Sequence, residues 1–159
     1  MRLITLNGVK LLVYINGMIL RYRDKANGRF KKGWGEAKGS IDNTTGYLRT
    51  RLNRKDFLKH RIVGYAFLGL DIDNPKQIID HIDRNKQNNN MNNLRIVSHQ
   101  ENQFNTNAKG YYLNNNKWRA SIRINTKPIH IGCFKTEEEA HKAYLQAKEK
   151  YHIIPEAQD

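Results

Sequence analysis

Cysteine is nearly absent from this sequence: Cys133 stands alone, so no intramolecular disulfide can form and no Cys-x-x-Cys zinc knuckle exists. Long apolar runs are missing as well, which excludes a membrane-spanning helix, and the basic residues do not line an amphipathic helix of the kind that lies on a lipid surface. The first residues lack the charged, apolar and small-residue order of a signal peptide. Hydrophobic residues make up only 38% of 159, too few for one large core, which suits a mid-sized domain or two or three small modules. Acidic residues are scarce: 15 Asp and Glu face 28 Lys and Arg, a formal charge of +13. That excess points to a polyanion, because each cation that neutralises a phosphate releases a condensed counterion. These absences together predict a cytoplasmic, zinc-free protein whose partner is nucleic acid and not a membrane.

The charge is uneven. Residues 1–60 hold 14 Lys and Arg against 4 Asp and Glu, residues 61–109 hold 6 against 5, and residues 110–159 hold 8 against 6. The N-terminal third is the basic part, and the middle keeps the carboxylates that a metal would need. Within the first third, Leu11–Ile15 and Met18–Tyr22 flank Asn16-Gly17, the preferred two-residue hairpin signal. Tyr47–Asn53 alternates, with Leu48, Thr50 and Leu52 on one face and Arg49 and Arg51 on the other. Arg49 and Arg51, with Arg21, Arg23, Arg29, Lys31, Lys32 and Lys38 nearby, are read as contacts to DNA phosphates.

Ile62, Val63, Ala66 and Phe67 fall at helical spacing, and Asn74-Pro75 interrupts the chain after them. Gln77–Ile82 and Leu94–Val97 read as strands around a polar loop, and Ser98-His99-Gln100-Glu101 is a capping box that starts a helix at His99. Asp80 and His81 close the first strand, Asn93 opens the second, and Asn102 lies in the helix. Phosphodiester hydrolysis needs a Lewis acid, a base for water and fixed geometry between them. Asp80 and Asn102 offer hard oxygen donors for a divalent metal, Mg²⁺ first and Mn²⁺ second, and leave positions open for water and phosphate. His81 supplies an imidazole suited to a general base, provided its second nitrogen is held by Asn93 or a loop carbonyl. His60, beside an apolar helix, is expected to make a structural hydrogen bond.

The runs His60-Arg61-Ile62-Val63 with Ala66-Phe67, Ile79-Asp80-His81-Ile82-Asp83-Arg84-Asn85-Lys86-Gln87-Asn88-Asn89, Asn92-Asn93-Leu94-Arg95-Ile96-Val97-Ser98 and Glu101-Asn102 resemble the HNH homing endonucleases of phages and phage introns. The resemblance covers roughly residues 5 to 107. It implies a ββα-metal core in which Asp80 and Asn102 are metal ligands, His81 the general base, and Asn93 the residue that fixes the loop. Many members end the motif in His and add a Cys-ligated zinc; this chain resembles the zinc-free branch. Asn105, one helical turn after Asn102, stays open as the second ligand, with Asn102 favoured by its spacing from Asn93.

Beyond residue 109, three strands (Gly110–Leu113, Trp118–Ile124 and Pro128–Phe134) precede a capping box at Thr136-Glu137-Glu138-Glu139. The helix it opens has the apolar stripe Ala140, Ala143, Tyr144, Ala147 and Tyr151. Lys109-Gly110, Lys117-Trp118-Arg119-Ala120-Ser121-Ile122-Arg123, His130-Ile131-Gly132-Cys133-Phe134 and Glu137-Glu138-Glu139-Ala140 resemble the APETALA-type DNA-binding domain. That resemblance places Lys109, Ser121, Arg123 and His130 where the family contacts DNA, and Lys117 and Arg119 on the basic middle strand are read as DNA contacts beside them. The fold class expected is α+β: an N-terminal antiparallel sheet region (1–58), a ββα-metal core (59–107), and a three-stranded sheet packed on one helix (109–152). The function expected is a site-specific, metal-dependent DNA endonuclease, acting as a monomer that nicks one strand. The alternative is a catalytically retired relative that regulates by binding DNA.

Overall fold

The computed structural model describes residues 1–106, 108–125 and 127–154. It is an α+β protein with several small antiparallel sheets and three α-helices, and it divides into two compact units, 1–96 and 97–159.

In the first unit, β1 (Arg2–Leu6), β2 (Val9–Val13), β3 (Ile19–Arg23) and β4 (Gly33–Glu36) form an antiparallel meander in chain order. A second sheet joins β5 (Ser40–Ile41), β6 (Leu48–Leu52) and β7 (Lys55–Leu58). Period-two alternation explains the burial on β6: Thr50 and Leu52 point inward while Arg49 and Arg51 are exposed. Two-residue turns with both residues at positive φ connect β1 to β2 at Asn7-Gly8 and β6 to β7 at Asn53-Arg54. The two turns are laced together, Asn7 Nδ2 donating to the Leu52 carbonyl at 2.8 Å and Asn53 Nδ2 to the Asn7 carbonyl at 2.9 Å.

The Asn16-Gly17 signal resolves differently. The β2–β3 connection is the longer turn Tyr14–Met18, closed by the Tyr14 N–H on the Met18 carbonyl at 2.9 Å. The glycine sits at φ +84°, and a Cβ there would meet Asn89 in a distant loop.

α1 (Lys59–Phe67) buries Ile62, Val63 and Ala66. Gly64 lets it approach β8 (Ile78–His81) closely, since a Cβ there would lie 2.7 Å from Ile79 Cδ1. Arg61 stitches the connection in between by donating to the carbonyls of Gln77, Ile72 and Asn74 at 2.8, 3.1 and 3.1 Å. β8 pairs with β9 (Leu94–Val97), which follows a single 3-10 turn at Met91–Asn93. One apolar core runs through this unit from Leu6, Leu11, Val13 and Ile19 through Leu52 and Phe57 to Ile62, Val63, Ile79 and Leu94. It therefore spans the 58/59 position at which the sequence suggests a module boundary.

The second unit contains α2 (His99–Phe104), a three-stranded antiparallel sheet of β10 (Tyr111–Asn114), β11 (Lys117–Ile124) and β12 (Lys127–Phe134), and α3 (Glu137–Tyr151). Both helices start with the expected capping boxes, Ser98–Glu101 and Thr136–Glu139. Ala120, Ile122, Ala140 and Tyr144 are buried, and Gly110, at φ +70°, has no room for a Cβ because the Tyr144 ring occupies that space. The stripe on α3 ends earlier than its sequence suggests: Tyr151 is 43% exposed, with Lys150 over its ring, because the last turn of the helix is open to solvent.

Candidate functional site

Asp80 and His81 end β8 as buried polar residues, 7% and 3% exposed. The loop that follows is built almost wholly from side chain to backbone hydrogen bonds, as expected for a run of Asn and Asp that competes for backbone groups. Arg84 takes a positive φ of 62° and its N–H reaches back to the His81 carbonyl at 2.9 Å. Asn93 is the clamp of the loop. Its Nδ2 donates to Asp83 Oδ1 and to the Asn88 carbonyl, both at 2.9 Å, its Oδ1 accepts from the Asp83 N–H at 3.0 Å, and its carbonyl accepts from the Ile82 N–H at 2.9 Å. Asp83 also accepts from Asn88 Nδ2 at 2.7 Å, and these bonds, that from Asn88 foremost, hold its carboxyl below the usual range.

His81 is held by Asn89, a residue that the sequence does not single out. Asn89 is 5% exposed and its Oδ1 lies 3.2 Å from His81 Nε2. With the amide oriented so, the ring carries its proton at Nε2 and its lone pair at Nδ1. Tyr47 stacks on the ring with centroids 5.7 Å apart and planes at 27°, and His60 meets it edge-on at 5.1 Å. Lys86 Nζ lies over the Tyr47 ring, 5.0 Å from its centroid, anchored on the Thr45 carbonyl at 2.9 Å. Burial lowers the His81 pKa below its ordinary value, against the opposing pull of the Asn89 bond and of Asp83 and Asp80. The same cluster revises the expectation for His60. Its Nδ1 is buried with no hydrogen-bond partner among the described residues, and its ring packs against Tyr47 at 4.6 Å, so contact with two rings takes the place of a hydrogen bond at that nitrogen.

Arg95 is the second residue missed in the sequence. Its Nε and Nη2 both donate to Asp80 Oδ2, at 3.0 and 2.8 Å, in a pair that is largely buried. Among the described residues no three His, Cys, Asp or Glu side chains converge as a ligand cluster. Asp80 offers a carboxylate at the end of β8, an oxygen donor of the kind a hard divalent cation takes, and that carboxylate is already engaged by Arg95. Asn102 lies half-buried in α2, and Asn105 is the C-cap of that helix.

The basic residues fall into two groups. In the first unit, Arg49 and Arg51 are exposed, Arg49 resting 3.3 Å from Asp42 and Arg51 3.9 Å from Asp56. Arg21, Arg23 and Arg29 gather round Phe30, with guanidinium carbons 5.9, 4.3 and 5.6 Å from the ring centroid. In the second unit, Lys109, Lys117, Arg123 and His130 are exposed while Arg119 and Ser121 are half-buried. Ser121 pairs with His130 and Arg119 with Cys133 across β11 and β12. A register shift at Ala120/Ser121 brings His130 and Cys133 to one face, 3.7 Å apart, although they are three residues apart on a strand.

Comparison with known proteins gives this geometry a context. Residues 57–104 match a family model described as HNH endonuclease. The chain is 39% identical over 79 residues to an uncharacterized HNH endonuclease of Acanthamoeba polyphaga mimivirus, covering 46% of this chain and 42% of the relative. Over 39 residues it is 44% identical to an ethylene-responsive transcription factor-like protein of Arabidopsis thaliana, covering 24% of this chain and 17% of the relative. The chain thus spans less than half the length of the curated relatives it matches. A solved structure of DNA binding and cleavage by the HNH homing endonuclease I-HmuI shares 26% identity at a TM-score of 0.48, covering 66% of this chain and 57% of that one.

Proposed function

We propose that this chain is a site-specific, metal-dependent endonuclease of the HNH kind that hydrolyses a phosphodiester of double-stranded DNA and nicks one strand as a monomer. The observation that carries the reading is His81, seated at the end of β8 beside Asp80, with its Nε2 on Asn89 and its loop clamped by Asn93, inside the stretch that matches the HNH endonuclease model.

In this reading His81 takes the proton of the attacking water at Nδ1, and Asn89 fixes the tautomer that makes Nδ1 the basic nitrogen. Because burial lowers its pKa, the imidazole is neutral and able to accept a proton at pH 7. Asn93 keeps the loop and the strand end in one arrangement, which is how orientation contributes to rate. Asp80 and Asn102, with Asn105 as the other choice, would hold a divalent cation, most simply Mg²⁺ and also Mn²⁺. A cation so held supplies Lewis-acid polarisation of the phosphate and charge neutralisation at the leaving oxygen. Arg49 and Arg51 of the first unit, and Lys109, Lys117, Arg119, Ser121, Arg123 and His130 of the second, would grip an extended DNA site through phosphates and groove edges. Residues 1–58 would serve binding and 59–107 the chemistry, as functional parts that share one core across position 58/59, and 109–152 would serve APETALA-like binding, in the cytoplasm of a host cell.

The buried Arg95–Asp80 pair favours a second reading, a relative that binds DNA as a regulator without cutting it, because the carboxylate is already neutralised. Incubating the protein with supercoiled DNA and Mg²⁺ or Mn²⁺ separates the two. Nicked circles that disappear in His81→Ala, while DNA binding persists, support the nuclease; binding without nicks from the unaltered protein supports the regulator.

A further inference from the structure

We infer that the turn between β2 and β3 is a positioning device for His81 that acts through Asn89. The inference rests on the reading of His81 as the base. Three observations converge on it. The Ile15 carbonyl accepts the Met91 N–H at 2.8 Å, which pins the far end of the polar loop to the turn. Gly17 sits against Asn89 so tightly that a Cβ there would lie 2.6 Å from the Asn89 carbonyl oxygen, 2.8 Å from its carbon and 3.0 Å from its Cβ. Asn89, wedged against that glycine and 5% exposed, puts Oδ1 on His81 Nε2 at 3.2 Å.

The turn is the firmer partner of the two. It is closed by the Tyr14 N–H on the Met18 carbonyl at 2.9 Å and the Gly17 N–H on the Tyr14 carbonyl at 3.0 Å, with Asn16 Oδ1 accepting from the Met18 N–H at 3.1 Å. It grows from Val13 and Ile19, both fully buried. The loop from Asp83 to Asn90, by contrast, has no apolar side chain of its own to anchor it. A chain of contacts therefore runs from the buried roots of β2 and β3 through Gly17 to the Asn89 backbone and on to the ring of His81. Glycine is required at position 17 on two independent grounds, a left-handed φ of +84° and backbone approach below van der Waals distance.

The test is a double-mutant cycle on the full chain between Gly17 and Asn89. Gly17→Ala and Gly17→Asn both add the Cβ, and asparagine tolerates the left-handed region, so it carries the test if the alanine variant fails to fold. Nicking of supercoiled DNA with Mg²⁺ gives kcat and KM, and ¹⁵N shifts of the His81 ring report which nitrogen bears the proton. We expect kcat to fall on the order of tenfold to a hundredfold in either Gly17 variant, with KM and DNA affinity within about twofold. We also expect no further loss when Gly17→Ala is added to Asn89→Ala, and loss of the Nε2-protonated signature in all of them. Unchanged kcat, losses that multiply in the double variant, or a native tautomer signature in the folded Gly17 variants overturns the inference. If the unaltered protein cuts no DNA, the nuclease reading falls, while the tautomer signatures still decide the turn's role.

Discussion

His60 lies 4% exposed at the start of α1, and burial, with the charges of His81 and Arg61 adding to it, pushes its pKa down to about 3. The unfolded chain takes up that proton near pH 6.5, the folded one only near pH 3, so more protons are bound in the unfolded state between the two values. Stability is accordingly full above pH 6.5 and declines as the pH falls through this window, by at most about 1.4 kcal/mol per pH unit from this group. His81 is shifted in the same direction. His60→Phe keeps a ring against Tyr47 and removes the His60 part of the slope, which urea midpoints between about pH 7 and 4 will read. With His81 as the base proposed above, its lowered pKa should put the acid limb of the nicking rate below 6.5. Since the Asn89 bond pulls that pKa upward, Asn89→Ala moves the limb lower still; a limb at or above 6.5 in the unaltered protein refutes the assignment. Arg95→Leu removes the charged partner that donates twice to the buried Asp80 carboxylate and should cost about 3 kcal/mol in metal-free denaturation. The placement of Asp80 and His81 at the end of β8, and of Asn93 just before β9, was legible because β-branched runs border a polar loop there. Asn89 was not: Asn88, Asn89 and Asn90 are identical in sequence, and only the path of the loop decides which amide faces the ring. Tyr47 and His60 join His81 through tertiary packing across 34 and 21 positions, which no local pattern encodes.

Elements with strong local chemistry were read to within a residue or two. Both capping boxes, the stripe that starts α1 and the alternation on β6 and β11 depend on neighbours in the chain, and they stand where the spacing puts them. Thr136→Ala removes the side-chain acceptor for the Glu139 N–H and should lower stability by about 1 kcal/mol, measurable as a shift in thermal midpoint; Thr136→Ser should restore most of it. The misreadings come from the opposite situation. The turn at Asn16-Gly17 is longer than its two-residue signal suggests and packs against Asn89, more than seventy residues away, a contact that no local pattern encodes.

At the scale of the whole molecule, the net charge of +13 is concentrated before residue 60, so affinity for DNA should fall steeply with salt. Replacing Arg49 and Arg51 together by Ala should reduce the slope of log K against log salt by about 1.8, near 0.9 for each phosphate that is no longer neutralised, with little change in the rate at saturating DNA; filter binding from about 50 to 300 mM salt checks the slope. The continuous apolar interior of the first unit has a consequence for anyone shuffling genes. The stretch that aligns with the family model, 57–104, is no transplantable cassette. Moved by itself it would arrive with Ile62, Val63 and Leu94 stripped of Leu11, Val13 and Ile19. Chimeras that keep residues 1–96 from one parent should yield soluble protein, whereas those joined near 57 should end in inclusion bodies.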